Sequence, residues 1–276
     1  MNKDKLKNAL LAGPYLVWMI GFIIIPLFFI LYYGLTNDDG IFTFDNIKSM
    51  FNPIHLKSFF MSLYLAFVST LICIILAYPI ALIFREAKTK KTSFIVYVFI
   101  LPMWMNGLLR IYAWLTLIEK KGIINLILTA LNLPNISIVN TNVAIILGMV
   151  YDFLPFMILP LYNSLMKIND DTINGARDLG ANSYYTFTRI IFPLSMPGVV
   201  SGITMVFIPA LTTVVISNIL GGGSILLIGN VIEQEFLTTT NWHLGSGISL
   251  VLVIFIFIVM GITSRFTDKD EQVVMA

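Results

Sequence analysis

Charge is what this 276-residue chain has least of: Asp, Glu, Lys and Arg make up only 12% of it, where a soluble domain carries about a quarter. With 58% hydrophobic residues and a mean hydropathy of +0.88, the composition excludes a water-soluble globule and reads as an integral membrane protein. The single cysteine, Cys73, stands inside an apolar run. No internal disulfide is possible, and its expected role is that of a small buried hydrophobe. The two histidines, His55 and His243, lie in separate polar segments without metal-ligand spacing. There is no Ser/His/Asp set and no pair of intramembrane carboxylates. The stretch GGGSILLIGN (221–230) is rich in glycine, yet it lacks the Gly-Lys-Ser/Thr ending of a phosphate-binding loop. It is read as a turn re-entering the membrane. No catalytic residue, metal site or cofactor is therefore expected in this chain, which is not read as an enzyme. Energy for active solute movement has to come from a partner or an ion gradient.

What the chain does have is long apolar runs. A helix needs roughly 20 apolar residues to cross a bilayer, and six segments qualify: 10–35, 58–84, 93–118, 141–166, 197–220 and 246–264. The apolar residues run continuously instead of alternating, which excludes a β-barrel and predicts an all-α membrane protein. The first run follows a basic KDKLK flank, but it is too long for a signal-peptide core and no small-residue cleavage pattern follows, so it reads as an uncleaved first span. The fifth is the most polar and carries Pro209 at its middle, which neighbouring helices or water can accommodate.

Basic residues set the orientation. With the N-terminus inside, the inner segments hold Lys3, Lys5, Lys7, Arg85, Lys88, Lys90, Lys91, Lys167, Arg177, Arg189, Arg265 and Lys269. The outer ones hold only Lys48, Lys57, Lys120 and Lys121. Twelve against four predicts that both termini face the cytoplasm. Asp38, Asp39 and Asp45, and also Glu233 and Glu235, fall in outer loops.

The segment 169–202 then lies in the cytoplasm between spans four and five. Asp170 and Asp171 are suited to cap a short helix ending at Gly180, a glycine placed for a left-handed C′ position. Ser183 is suited to cap a second helix, 184–192, which Pro193 closes. Ile173, Leu179, Tyr184, Tyr185 and Phe187 supply apolar area, and Asp170, Asp171, Arg177, Asp178 and Arg189 supply both signs of charge. That mixture suits a docking surface.

The same loop resembles the EAA signature of ABC-transporter permeases, a Glu-Ala-Ala start, a glycine four residues on, and an Ile-x-Leu-Pro ending. Here the start is Asn174, Gly175, Ala176, the glycine is Gly180, and the ending is Ile190, Ile191, Phe192, Pro193. Asn for Glu, Gly for the first Ala and Phe for Leu depart from the pattern, while the Gly-to-Pro spacing is intact. The likeness extends through nearly the whole chain. LPMWMNGLLRIYAW (101–114), YDFLPFMILPLYNSL (151–165) and the segment 207–237 resemble the permeases of spermidine/putrescine importers, the B-type subunit above all.

The resemblance implies a type I ABC importer permease fold in a bacterial cytoplasmic membrane, with residues 1–276 as one transmembrane permease domain and 169–193 as its cytoplasmic coupling loop. It implies a second, homologous permease subunit, two ATP-binding subunits that hold ATP and Mg, and an extracytoplasmic substrate-binding protein, with no role for nucleic acid. Asn174, Gly175, Ala176, Arg177, Asp178, Gly180, Arg189, Ile190 and Pro193 are the expected ATPase-coupling residues. The missing Glu at position 174 removes one polar contact, and Gly175 lowers helix propensity by up to about 1 kcal/mol. A permease for another small solute, or an ion-coupled secondary transporter, are the alternatives; the latter predicts inverted repeats and coupling carboxylates at mid-membrane.

Two ionisable residues fall well inside predicted spans, Arg110 and Asp152. Each costs about 2.5–3.5 kcal/mol at the bilayer centre on insertion scales and must face protein or water. Their depths are similar, so a structural ion pair is one reading. The other puts Asp152 on the substrate path with Arg110, Tyr151 and Trp104 beside it. Tyr112, Trp114 and Tyr162 add aromatic faces that attract ammonium groups, although aromatics also serve as interface anchors. Gly198 and Gly202 form a GxxxG that suits close helix packing, with the partner permease among the possible neighbours.

Overall fold

A computed structural model describes residues 13–86 and 101–274. Among these residues the architecture is helical, with one isolated β-bridge between Thr36 and Phe42. Among the described residues five helices are long and apolar enough to cross a membrane: α1 (Gly13–Gly34), α3 (Pro53–Glu86), α6 (Asn142–Met166), α8 (Ser183–Thr212) and Trp242–Arg265, the apolar part of α11 (Trp242–Val274). Shorter helices are α2 (Asp45–Lys48), α4 (Gly107–Ile118), α5 (Ile123–Ala130), α7 (Asp170–Asp178), α9 (Val215–Leu220) and α10 (Ile228–Leu237).

The expected third span, 93–118, lies partly outside the described residues. Its described part is a 3-10 turn, Leu101–Trp104, followed by α4. The break has a local cause. The Asn106 side chain accepts from the N–H groups of Leu108 and Leu109 and so starts a new helix. The twelve residues of α4 cover about 18 Å, too little to span alone.

The fifth span also differs from expectation. Instead of a helix over 197–220, α8 starts at Ser183 and stops at Thr212, and α9 follows after the irregular residues Thr213 and Val214. Asn230 repairs this break. Its Nδ2 donates to Val214 O (3.3 Å) and Asn218 Oδ1 (2.7 Å), and its Oδ1 accepts from Ser217 Oγ (2.6 Å) and Leu227 N (3.1 Å). Non-helical backbone in a membrane protein is tolerated where protein groups satisfy it. The 221–230 segment is thus tightly held: a Cβ on Gly222 (φ +59°) would sit 2.0 Å from Asn140 Oδ1.

The chain divides into two compact units, Met1–Leu56 with Val231–Phe255, and Lys57–Asn230 with Ile256–Ala276. In the first, Asn46 donates to the carbonyls of Tyr33, Gly34 and Thr36 at the end of α1, satisfying groups that a helix C-terminus leaves open. Gly34 lets α1 approach α11, since a Cβ there would lie 2.5 Å from Leu250 Cδ1. In the second, the closest helix pair is α6 with α8. A Cβ on Gly198 would meet Ser164 Cβ at 2.5 Å and Pro160 O at 2.7 Å, and one on Gly202 would meet Met157 Sδ at 2.5 Å. The GxxxG therefore packs inside this chain, against α6, and not on a partner permease. Cys73 is buried, as expected.

Candidate functional site

The 169–193 loop is built by caps. Asn169, and not Asp170 or Asp171, caps α7, its Oδ1 accepting from Asp171 N at 3.0 Å. The two aspartates occupy the first turn and Arg177 the last, the arrangement the helix dipole favours. Gly180 adopts φ +87°. Its N–H donates to Arg177 O and that of Ala181 to Ala176 O, a Schellman ending that glycine permits.

The second helix departs from expectation at both ends. Asn182, not Ser183, is the cap, accepting from Tyr185 N at 2.8 Å. Pro193 does not close it either: a π-helical stretch, Phe187–Ile191, leads without a break into the rest of α8. A proline lacks its N–H and clashes with the carbonyl four residues back; the wider π turn absorbs that clash. The loop is therefore a short helix, α7, followed by the first turns of α8.

Between α7 and α8 lies a notch of about 530 Å³ lined by Ala176, Leu179, Gly180, Ala181, Tyr185 and Ile190, among others. Leu179 is 92% and Tyr184 77% exposed, while Ile173 is buried beneath. Arg189 lies over the Tyr185 ring, 5.9 Å from its centre. Of the other expected coupling residues, Asn174, Gly175, Arg177, Asp178 and Pro193 are exposed.

Two residues that sequence reasoning passed over tie this loop to α3. Arg85, buried in the last turn of α3, donates from Nε to Leu165 O (2.9 Å) and from Nη2 to Ile168 O (3.1 Å) and Asp170 Oδ1 (3.0 Å). It joins the end of α6, the connecting turn and the start of α7. Tyr78, about two turns earlier, shares a 2.6 Å hydrogen bond with Ser195 and packs its ring on Phe187 and Phe192. The sequence marks Arg85 only as a positive charge at a span end. Nothing in its spacing says that it reaches back to carbonyls of another helix.

The two charges expected inside spans meet. Arg110 Nη2 on α4 lies 2.7 Å from Asp152 Oδ1 on α6, with both side chains largely buried. The contact is a charge pair but a poorly aligned hydrogen bond: neither Asp152 Oδ1 nor Arg110 Nε has a well-directed partner among the described residues. Beside it, Tyr151 and Trp114 stack edge to face at 5.3 Å. Tyr162 instead packs on Phe84, and Trp104, in the 3-10 turn, is 88% exposed. Among the described residues no three His, Cys, Asp or Glu side chains gather as metal ligands would.

Residues 67–269 match the family described as the binding-protein-dependent transport system inner membrane component. The chain belongs to this family. It is 36% identical over 256 residues to the spermidine/putrescine transport system permease protein PotB of Haemophilus influenzae, covering 90% of each chain. With PotB of Escherichia coli it shares 37% over 266 residues, covering 92% of this chain and 97% of the relative. The inner membrane ABC transporter permease protein YdcU of E. coli is 28% identical over 95% of this chain and 90% of its own. Among solved structures, a chain of the bacterial alginate ABC transporter superposes with a TM-score of 0.78 at 17% identity over 96% of both chains. A chain of the inward-facing MetNI methionine transporter does so at 0.55, with 17% identity over 78% of this chain and 95% of its own. At such identity the likeness speaks for the fold alone. The fold is that of type I ABC importer permeases, and the chain is a multi-pass membrane permease of an ABC transport system. Such a permease works with an ATPase and a substrate-binding partner.

Proposed function

We propose that this chain is one of two related permease subunits of an ATP-driven polyamine importer, performing no chemistry of its own. The observation that carries the cargo is the 36–37% identity, over nine-tenths or more of the chain, to permeases named for spermidine and putrescine. Both termini and the 169–193 loop face the cytoplasm, as the basic residues suggest. The loop docks on one of two ATP-binding subunits, which bind ATP and Mg, while a substrate-binding protein delivers cargo from outside. Asn174, Gly175, Ala176, Arg177, Asp178, Gly180, Arg189, Ile190 and Pro193 form the coupling surface. The exposed Leu179 and Tyr184 side chains and the adjoining notch support this reading, because large apolar area outside the bilayer marks an interface. Arg110, Asp152 and Tyr151 border the path, with Trp104 at its edge.

The test is co-purification with the ATP-binding subunit and uptake of labelled putrescine and spermidine by the reconstituted assembly. Scrambling residues 170–193 is expected to abolish both association and uptake. A chain that purifies alone and moves solute down an ion gradient would sink the proposal. Uptake of another solute, unaffected by excess polyamine, would overturn the cargo and leave the architecture.

A further inference from the structure

The segment between α4 and α6 is built with its polar side in and its apolar side out. At Gly122 the chain turns back sharply from the end of α4: a Cβ there would lie 2.5 Å from Thr116 O and 2.6 Å from Leu117 O. Asn125, in the first turn of α5, is buried. Its Nδ2 donates to Glu119 O (2.9 Å) and Ile136 O (2.8 Å), and its Oδ1 accepts from Ile136 N (2.7 Å). Past the helix, Leu133 N donates to Leu128 O (2.8 Å) and Thr129 Oγ1 to Asn135 Oδ1 (2.9 Å). The hairpin 119–136 is thus closed by its own side chains, which occupy backbone groups that otherwise seek water.

Its outward face is the reverse of what water favours. Ile123, Leu126, Ile127 and Leu131 follow i, i+3, i+4, i+8 spacing, which sets them on one side of the helix, and they are 51–64% exposed. A helix on a water-soluble domain turns such a stripe to the core and its asparagine outward. Here the turn at Gly122 and the three bonds of Asn125 keep the helix from rolling over, so the stripe needs an apolar medium. Two features favour lipid over protein. The stripe is aliphatic, without the aromatic and Arg side chains that protein interfaces gather. Lys120 and Lys121, both exposed, adjoin it at the turn; lysine is depleted in protein interfaces but suits the phosphates of an anionic leaflet. The eight residues of α5 cover about 12 Å, too little to cross the bilayer.

We infer that α5 is an interfacial helix lying along the bilayer surface, with Ile123, Leu126, Ile127 and Leu131 among acyl chains and Lys120 and Lys121 at lipid phosphates. On the orientation proposed above the leaflet is the outer one; the insertion itself does not rest on that reading. The helix then holds the end of α4 at the interface. Arg110 precedes Ile118, the last residue of α4, by about 12 Å of helix, so α5 also sets the depth of the Arg110–Asp152 pair.

Spin labels at Leu126→Cys, Ile127→Cys and Glu119→Cys, each combined with Cys73→Ala, test this on the full chain in liposomes containing phosphatidylglycerol, alone and assembled with its partner subunits. Collision with oxygen, which concentrates among acyl chains, is compared with collision with a water-soluble nickel chelate. Oxygen should dominate severalfold at Leu126 and Ile127 in both preparations, and the chelate at the exposed Glu119. Dominance of the chelate at Leu126 and Ile127 puts the face in water and overturns the inference. Labels there that meet oxygen in the chain alone but neither reagent in the assembly put a protein on the face and overturn it as well. Lys120→Gln with Lys121→Gln should lower the oxygen-to-chelate ratio at Leu126 severalfold in these liposomes and leave it unchanged in purely zwitterionic ones. No change in either overturns the lysine–phosphate contact. No polyamine enters the measurement, so the cargo reading can fail without touching this one.

Discussion

Two arginines in the same unit are both largely buried and both face an aspartate, yet they are held in opposite ways. Arg85 spends its guanidinium on two backbone carbonyls as well as on Asp170, and that aspartate is half exposed. Arg110 has Asp152 at 2.7 Å, well shielded from solvent, but Nε and the facing oxygen lack well-directed hydrogen bonds. Charge is balanced at both places, whereas bonding capacity is used up only at the first. A buried ion pair recovers its desolvation cost only when further hydrogen bonds complete it. Arg85 therefore behaves as a clamp that fixes where α7 begins. The Arg110–Asp152 pair leaves bonding capacity unused among the described residues, so its charges are balanced without being fully hydrogen-bonded.

Breaking the under-bonded pair has the largest expected effect. Asp152→Asn leaves Arg110 charged and uncompensated, a loss of about 3–5 kcal/mol, read as a fall in the amount of assembled complex. Removing both charges, Arg110→Met with Asp152→Leu, should restore that amount, because a well-packed apolar pair avoids the desolvation cost. If the double variant also imports at the wild-type rate, the pair serves packing alone. If Asp152→Asn accumulates normally and uptake fails, Asp152 contacts the cargo.

Breaking the clamp comes next. Arg85→Met strips the end of α6 and the start of α7 of charge-assisted hydrogen bonds, each worth about 1.5–3 kcal/mol. Water at the loop makes good a part of the loss, so the assembly should still form. The expected signature is uncoupling: ATP hydrolysis by the partner persists while uptake falls severalfold. Normal uptake in this variant would show that α7 is positioned without Arg85.

The contrast also shows what the sequence could say. Long apolar runs and their basic flanks made the helices at 13–34, 53–86 and 142–166 legible, because membrane solvation acts on each segment independently. The Gly180 turn was legible because a left-handed backbone selects glycine locally. The breaks at Asn106 and Thr213 were not, since each depends on one side chain, Asn106 or Asn230, reaching backbone groups that hydropathy cannot register. Asn169 and Asn182 took the caps that acidic and hydroxyl neighbours seemed equally able to fill. Arg85 and Tyr78 contact residues more than eighty positions away or in another helix, which no local pattern encodes.

The α6–α8 seam should respond in graded fashion. Gly198→Ala forces a methyl against Ser164 Cβ and the Pro160 carbonyl, whereas Gly202→Ala meets chiefly the flexible Met157 sulfur. Overpacking costs about 1–3 kcal/mol, with Gly198→Ala at the upper end and Gly202→Ala at the lower, read from the thermal stability of the detergent-solubilised protein. Equal effects would mean that the seam opens as a unit and that the backbone contact at Pro160 sets no special limit.

The smallest effects separate the clamp from the surface it presents, and they are predicted to have opposite signs within one helix. A Cβ at Gly175 meets nothing within 4 Å, so Gly175→Ala only raises helix propensity, by up to about 1 kcal/mol. Gly180 stands in equally open space, but at φ +87°, and an alanine there costs about 1–2 kcal/mol of backbone strain. Tryptic cleavage at Arg177 reads the difference directly, being slower in Gly175→Ala and faster in Gly180→Ala. If Gly175→Ala also strengthens association with the ATP-binding subunit, α7 pays part of its ordering cost on docking. If cleavage slows and association stays the same, Arg85 and the caps have already ordered the helix in the free chain.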